Sequence, residues 1–401
     1  MELLERNSRA SEWMVPSACL AYALLLIVGF GLFRTRWTTP VDAVMPMSPH
    51  RAAFFVCNAA TLSGFQTSLA VESLQPLGQF VLFVLMVAGG MLSWVVGGIL
   101  VKRALRLEVS DLQIVAASGC LLLLAVVAGM ILNFGDGIWR SSFNAVSAVT
   151  NCGLWIGPPP AGNRLEMGAF FLPLALLGGL GITVILELVG APVHRALSPH
   201  AAMVLTLSAV VYLLGFRAVF CSQWLFGGIV EESWRSGLWQ ASALSINARS
   251  AGLPGELLSS LPRPTQWMVG GLMLIGGGSG GATGGLKLTT LAVLALGVAG
   301  VLRGRAPERI FGIAAVWLGL YLLLIAGTFL LLLGLVPELS ADRLLMLSIS
   351  AVGNVGLSHD VLSAGGHDGS ILTAAMLAGR VMPLVILAWV ARGERTTFAV
   401  A

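Results

Sequence analysis

The sequence predicts an all-α integral membrane protein of four tandem helix–re-entrant loop–helix units, with eight membrane spans arranged pseudo-fourfold around one central axis. Three observations carry that expectation. Of 401 residues, 57% are hydrophobic and only 10% charged, against about 25% charged in soluble domains. Apolar runs long enough to cross about 30 Å of hydrocarbon recur along the chain. Between them, one short motif containing glycine returns four times.

The opening stretch, MELLERNSRASEW, carries both signs of charge and reads as a cytosolic lead-in to the first span, not a cleaved signal. Unit one (1–104) has apolar runs at 15–33 and 77–101, with a shorter amphipathic segment at 47–62 between them. Unit two (105–196) repeats the plan with runs at 112–132 and 168–190 around 138–151. Unit three (197–305) has 201–220, 235–248 and 266–300, and unit four (306–401) has 310–335, 341–353 and 370–391. The amphipathic segments are too short to cross a bilayer and read as re-entrant half-spans. They end in NAATLSGFQT (58–67), SAVTNCGLWI (147–156), SINARSAGLP (245–254) and SAVGNVGLSH (350–359). The recurring glycines Gly64, Gly153, Gly252 and Gly356 lie 89, 99 and 104 residues apart. Such repeats bury their faces only by packing on one another.

An even number of crossings puts both termini on one side. The loops sharing that side carry Lys102, Arg103, Arg106, Arg195, Arg303, Arg305 and Arg309, while Asp136, Glu166, Glu231, Glu232, Glu256, Glu338, Asp342, Asp360 and Asp368 gather opposite. Positive-inside bias therefore predicts cytosolic termini in a multi-pass cell-membrane protein. The glycine loops then face outward under an acidic rim, which would concentrate cations. The net charge of +4 is modest, and no surface for nucleic acid is implied. Cys19, Cys57, Cys120, Cys152 and Cys221 have no CxxC spacing and read as small apolar residues. His194 and His200 flank a short turn and read as solvated.

Irregular backbone at membrane depth is tolerated only inside protein or along a water-filled path. Glycine permits positive φ, and four such loops around an axis give rings of carbonyl oxygens able to replace a cation's hydration shell. The candidate ion-binding residues, acting mainly through backbone carbonyls, are Leu62, Ser63 and Gly64; Asn151, Cys152 and Gly153; Ser250, Ala251 and Gly252; and Asn354, Val355 and Gly356. A central ion pore is the architecture implied. Arg249 is placed to brace the third loop by bonding carbonyls away from the ion file.

The second run of unit three contains a glycine-rich interruption. Seven of the ten residues from Gly276 to Gly285 are glycine, although glycine costs about 1 kcal/mol relative to alanine in a helix. Close helix packing explains GxxxG spacings but not this density. Gly276, Gly278 and Gly281 satisfy GxGxxG with no βαβ context, and GGLKLT is not a Walker ending. The serine of GGSG has no histidine at mid-span to act as a base. These readings imply no enzyme. Lys287 and Arg380 lie within apolar runs, where a charge costs about 2.5–3.5 kcal/mol.

These strings resemble the Trk/Ktr/HKT superfamily of potassium transporters. NAVSAVTNCGLW (144–155), ARSAGL (248–253) and SAVGNVGLS (350–358) resemble its second, third and fourth loops. GGGSGGATGGLK (276–287) resembles its glycine-rich interrupted span, and AGRVMPLVILAW (378–389) its arginine-bearing last span. The likeness is nearest to the Ktr membrane subunit, since no extra N-terminal pair of spans is evident. TLSGF, in the first loop, is the least similar, and NARSAG lacks the threonines usual in the third. The resemblance implies potassium uptake down the electrochemical gradient, with potassium as cargo and no organic cofactor. It also implies a homodimer and a cytosolic nucleotide-binding (RCK-type) regulatory subunit. A gate would comprise Gly276, Gly277, Gly278, Ser279, Gly280, Gly281, Ala282, Thr283, Gly284 and Gly285 with Lys287 and Arg380. Sodium permeability, or a membrane enzyme or scaffold on the same fold, are the alternatives.

Overall fold

The computed structural model describes the chain apart from residues 1, 41–44, 133–136, 158–166, 195–196, 227–233, 250–252, 254–256 and 394–395. Its helices are α1 (Glu2–Phe33), α2 (Pro49–Ala60), α3 (Pro76–Met91), α4 (Gly97–Leu105), α5 (Asp111–Leu132), α6 (Ile138–Val149), α7 (Leu172–Leu180) and α8 (Ile182–His194). They continue as α9 (Pro199–Leu225), α10 (Trp234–Asn247), α11 (Arg263–Met273), α12 (Leu288–Leu302), α13 (Arg309–Leu335), α14 (Ala341–Val352) and α15 (His367–Ala391). A π-helical turn, Leu92–Val96, joins α3 to α4.

Among the described residues, six helices are long and apolar enough to cross a membrane: Met14–Phe33, Pro76–Leu105, α5, α9, α13 and α15. The fourth predicted span is a broken pair, bent by 102° between Gly168–Leu180 and Ile182–Gly190. It is a seventh crossing if counted as one. The sixth predicted span, 266–300, is not one helix. It divides into α11 and α12 around the glycine segment, because backbone there bonds to neighbouring elements in place of its own helix.

The four half-spans are α2, α6, α10 and α14, of 12, 12, 14 and 12 residues. At 1.5 Å per residue they reach about 18–21 Å, short of the hydrocarbon thickness. Serine caps start α2 and α9: Ser48 and Ser198 accept from Arg51 N and Ala201 N, each followed by proline, whose absent N–H costs nothing at a helix start. Most of α2, α6 and α14 is buried.

The neighbours run in a cycle. The second span of unit one (α3) packs on half-span α6 of unit two; α7 packs on α10; α11 packs on α14; and α15, from unit four, packs on α2 of unit one. Helices α6, α10 and α14 are thus each wedged against a helix that precedes them in the chain, and α2 against α15.

Candidate ion pathway

Each described glycine loop begins where a half-span ends. Ser63 N, Cys152 N and Val355 N reach back to Asn58 O, Ser147 O and Ser350 O at 3.0, 2.9 and 2.9 Å, closing the helix end as a Schellman-type turn. That turn requires a left-handed residue, supplied by Leu62, Asn151 and Asn354 at φ 60°, 58° and 48°. Asparagine tolerates this conformation and leucine does not, at about 1–2 kcal/mol. Two residues on, Gly64, Gly153 and Gly356 return to positive φ at 69°, 84° and 84°. Alternating the sign of φ turns successive peptide planes over, so carbonyls separated by one residue can face the same side.

The loops interlock. A Cβ on Gly64 would sit 1.7 Å from Cys152 O, and one on Gly356 would sit 1.8 Å from Ser63 O. Loops four, one and two therefore abut in that order through backbone. Asn354 Nδ2 adds bonds to Ser63 Oγ at 3.0 Å and to Met376 O of α15 at 2.9 Å. Its counterpart Asn151 donates to Ala175 O of α7 at 2.8 Å. Ser250, Ala251 and Gly252 of the third loop lie outside the described residues.

Three asparagines not singled out in the sequence frame the loops. Asn58 donates to Phe65 O and accepts from Phe65 N at 3.0 and 2.8 Å. Asn144 does the same with Ile156 at 3.1 and 3.0 Å, and Asn247 with Leu253 at 2.7 and 2.6 Å. The available signal was one asparagine in each of three amphipathic half-spans.

The glycine segment docks on backbone from before and after it in the chain, including Gly97, α7 and Gly353. Its base is closed by Gly276 N to Leu286 O and Leu286 N to Leu274 O, at 2.8 and 3.1 Å. Gly278 N and Ala282 N bond Gly179 O and Gly178 O of α7 at 2.9 and 3.0 Å. Gly181, at φ 96°, has Ser279 O 2.5 Å from where its Cβ would lie, so the bend of α7–α8 receives the segment. A Cβ on Gly278 would meet Leu180 O at 2.1 Å, and one on Gly284 would meet Gly353 O at 2.0 Å. Close backbone approach thus accounts for much of the glycine density that helix-packing motifs alone did not.

Arg380, 4% exposed, ties this segment to the first loop. Its guanidinium donates to Thr61 O through Nε at 2.8 Å and also through Nη2, to Ala282 O at 2.7 Å, and to Ser93 Oγ at 3.1 Å. Thr61 O is one of the carbonyls that α2 leaves free at its C-terminal end; another, Ala60 O, takes the Tyr22 hydroxyl at 2.7 Å. Ser93 lies in the π turn beside Trp94, whose Nε1 bonds Gly178 O at 3.0 Å. Sequence reading missed both residues, which sit in an apolar run with only a small hydroxyl to mark them. Lys287 does not extend to an interface. It is 4% exposed and donates to Thr283 O and Oγ1. Arg249 bonds Ser208 O of α9 and Gly276 O at 3.3 and 3.1 Å, linking the third half-span to the glycine segment.

Other expectations divide. Cys57 and Cys152 are buried, whereas Cys19, Cys120 and Cys221 are exposed on apolar helices. His200 is not solvated: it is 1% exposed and its Nδ1 accepts from Ala399 N at 3.4 Å, because the residues after α15 fold back over it. His194's side chain lies outside the described residues. Of the acidic rim, Asp136, Glu166, Glu231, Glu232 and Glu256 also lie outside them. Asp342 pairs with Arg263 at 2.9 Å, and Asp360 with Arg343 at 3.1 Å. The Ser340 hydroxyl and Arg263 hold the Asp342 carboxyl below the usual carboxylate range.

No protein-family model matches the sequence. The chain is 24% identical to the Ktr system potassium uptake protein B of Bacillus subtilis, covering 98% of this chain and 97% of that one. It is also 24% identical to the protein of the same name from Vibrio alginolyticus, over 90% and 88%. Its fold matches the crystal structure of the potassium transporter TrkH from Vibrio parahaemolyticus with a TM-score of 0.72, at 16% identity, over 92% of this chain and 82% of that one. In sequence and in fold the chain is similar to proteins of the Trk/Ktr superfamily. The likeness is to a membrane subunit of the Ktr-like kind. A further relative, 24% identical over 76% of this chain and 74% of its own, is the potassium/sodium uptake protein NtpJ of Enterococcus hirae.

Proposed function

We propose that the protein carries potassium across the cell membrane, down its electrochemical gradient, through a filter of backbone carbonyls contributed by four glycine loops around one pore. The observation that carries this reading is the repeated loop backbone. Left-handed residue, intervening residue and left-handed glycine recur in loops one, two and four, which abut through peptide atoms. Half-spans present C-terminal ends to these loops, and each such end carries a partial negative charge of about half an electron, which favours a cation. The cycle of unit contacts supports eight crossings in pseudo-fourfold arrangement, with the third loop completing the ring. The names of the similar uptake proteins support a monovalent cation as cargo.

In this reading the glycine segment, Gly276–Gly285, obstructs the path below the filter, and Arg380 and Lys287 hold it there. Arg249 braces the third loop from outside the ion file. Both termini are cytosolic, the working form is a homodimer, and a cytosolic nucleotide-binding subunit regulates it. Sodium permeation is the second reading, favoured by the potassium/sodium uptake for which the Enterococcus relative is named. Growth of a potassium-uptake-deficient bacterium at low potassium, with and without this gene, tests the first. Gly153→Asp should abolish rescue, and normal membrane insertion of the native chain without rescue or tracer flux would refute transport. Competition of sodium against rubidium uptake separates the two readings.

A further inference from the structure

We infer that the segment Thr396–Ala401 is a built-in plug that fills the pathway beneath the glycine segment and holds it closed. The inference rests on the transport reading above. Beyond α15 the chain passes α4, where Thr396 N and Oγ1 both bond Ala104 O, at 3.0 and 3.3 Å. It then turns inward. Ala399, Val400 and Ala401 are 0%, 0% and 2% exposed.

Three ties hold it. Ala399 O accepts from Ser279 Oγ of the glycine segment at 3.0 Å. Ala399 N donates to His200 Nδ1 at 3.4 Å. Ala401 N donates to Thr290 Oγ1, in the first turn of α12, at 3.1 Å. Ser279 is also bonded to Thr289 at 2.9 Å, so one hydroxyl joins plug, glycine segment and α12. Ala401 closes one side of the cavity lined by Gly280, Gly284, Lys287 and Arg380, leaving about 20 Å³. That space holds about one water, too little for a continuous hydrated file. Of this segment Ala401 lines the cavity, and Phe398, Ala399 and Val400 behind it are apolar.

Removal of 396–401 should raise basal rubidium flux in proteoliposomes about tenfold, equal to about 1.4 kcal/mol of lost closed-state stabilisation, with the potassium-to-sodium ratio unchanged. If the shortened chain fails to insert, His200→Leu and Thr290→Val, each removing one tie, should give smaller rises of the same kind. A second measurement is independent of flux. With Cys19, Cys120 and Cys221 replaced by serine, a thiol at Ala399→Cys in detergent-solubilised protein should react with a maleimide at least about tenfold more slowly than one at exposed Arg305→Cys, since reaction needs the tail to open. Equal flux from full and shortened chains, or equal labelling at the two thiols, would overturn the plug alone. Absence of flux from both chains would overturn the transport reading and the plug's role with it.

Discussion

Arg380→Met offers the sharpest test of how the glycine segment is held. The guanidinium is buried, and of its contacts only the 2.7 Å bond to Ala282 O reaches that segment; the others hold Thr61 O and Ser93 Oγ. A hydrogen bond from a charged donor contributes about 1.5–3 kcal/mol. At about 1.4 kcal/mol per decade, its loss should raise basal rubidium leak through reconstituted protein about 10- to 150-fold. Methionine keeps most of the side-chain volume, so the cavity left is small. Thr61 O loses its donor, and the melting temperature in detergent would fall with the expected cost of about 1–3 kcal/mol. Arg380→Lys separates two physical causes. It keeps the charge, but an ammonium cannot span Thr61 and Ala282 as the planar fork does. If the tether matters, lysine leaks nearly as methionine does; a tight lysine variant would assign the barrier to charge. An inserted, folded Arg380→Met chain with native leak would refute the tether.

Gly356→Ala forces a Cβ to within 1.8 Å of Ser63 O at φ 84°. Potassium flux should fall at least about tenfold with loss of discrimination against sodium, consistent with a cost of about 1–3 kcal/mol for overpacking, whereas Gly327→Ala on α13, where a Cβ meets nothing within 4 Å, should transport as the native chain does. Gly284→Ala should push the glycine segment off Gly353 O, its would-be neighbour at 2.0 Å, and lower the melting temperature in detergent. Asn58→Ala removes both bonds to Phe65 at about 1–3 kcal/mol for the unpaired groups. Hydrogen exchange at the Phe65 amide should quicken, and the apparent potassium affinity should weaken.

Much of this molecule is written locally. Long apolar runs, short amphipathic half-spans and the serine–proline starts of α2 and α9 follow from composition and capping, which act within a few residues of sequence. The four glycine motifs were legible for the same reason: a Schellman-type end followed by glycine is local backbone chemistry, and three of the four are described with that geometry. What required the tertiary structure is every relation between distant segments. That Gly64 abuts Cys152, that Gly181 bends where Ser279 arrives, and that Asn354 reaches Ser63 depend on which units become neighbours. The division of the predicted 266–300 span was foreseen as an interruption, but its reason, carbonyls of α7 and loop four lying where side chains would be, was not. His200 marks the same limit. A histidine beside a turn reads as solvated until a segment two hundred residues later in the chain covers it, because burial is a property of the assembled fold and not of the local sequence.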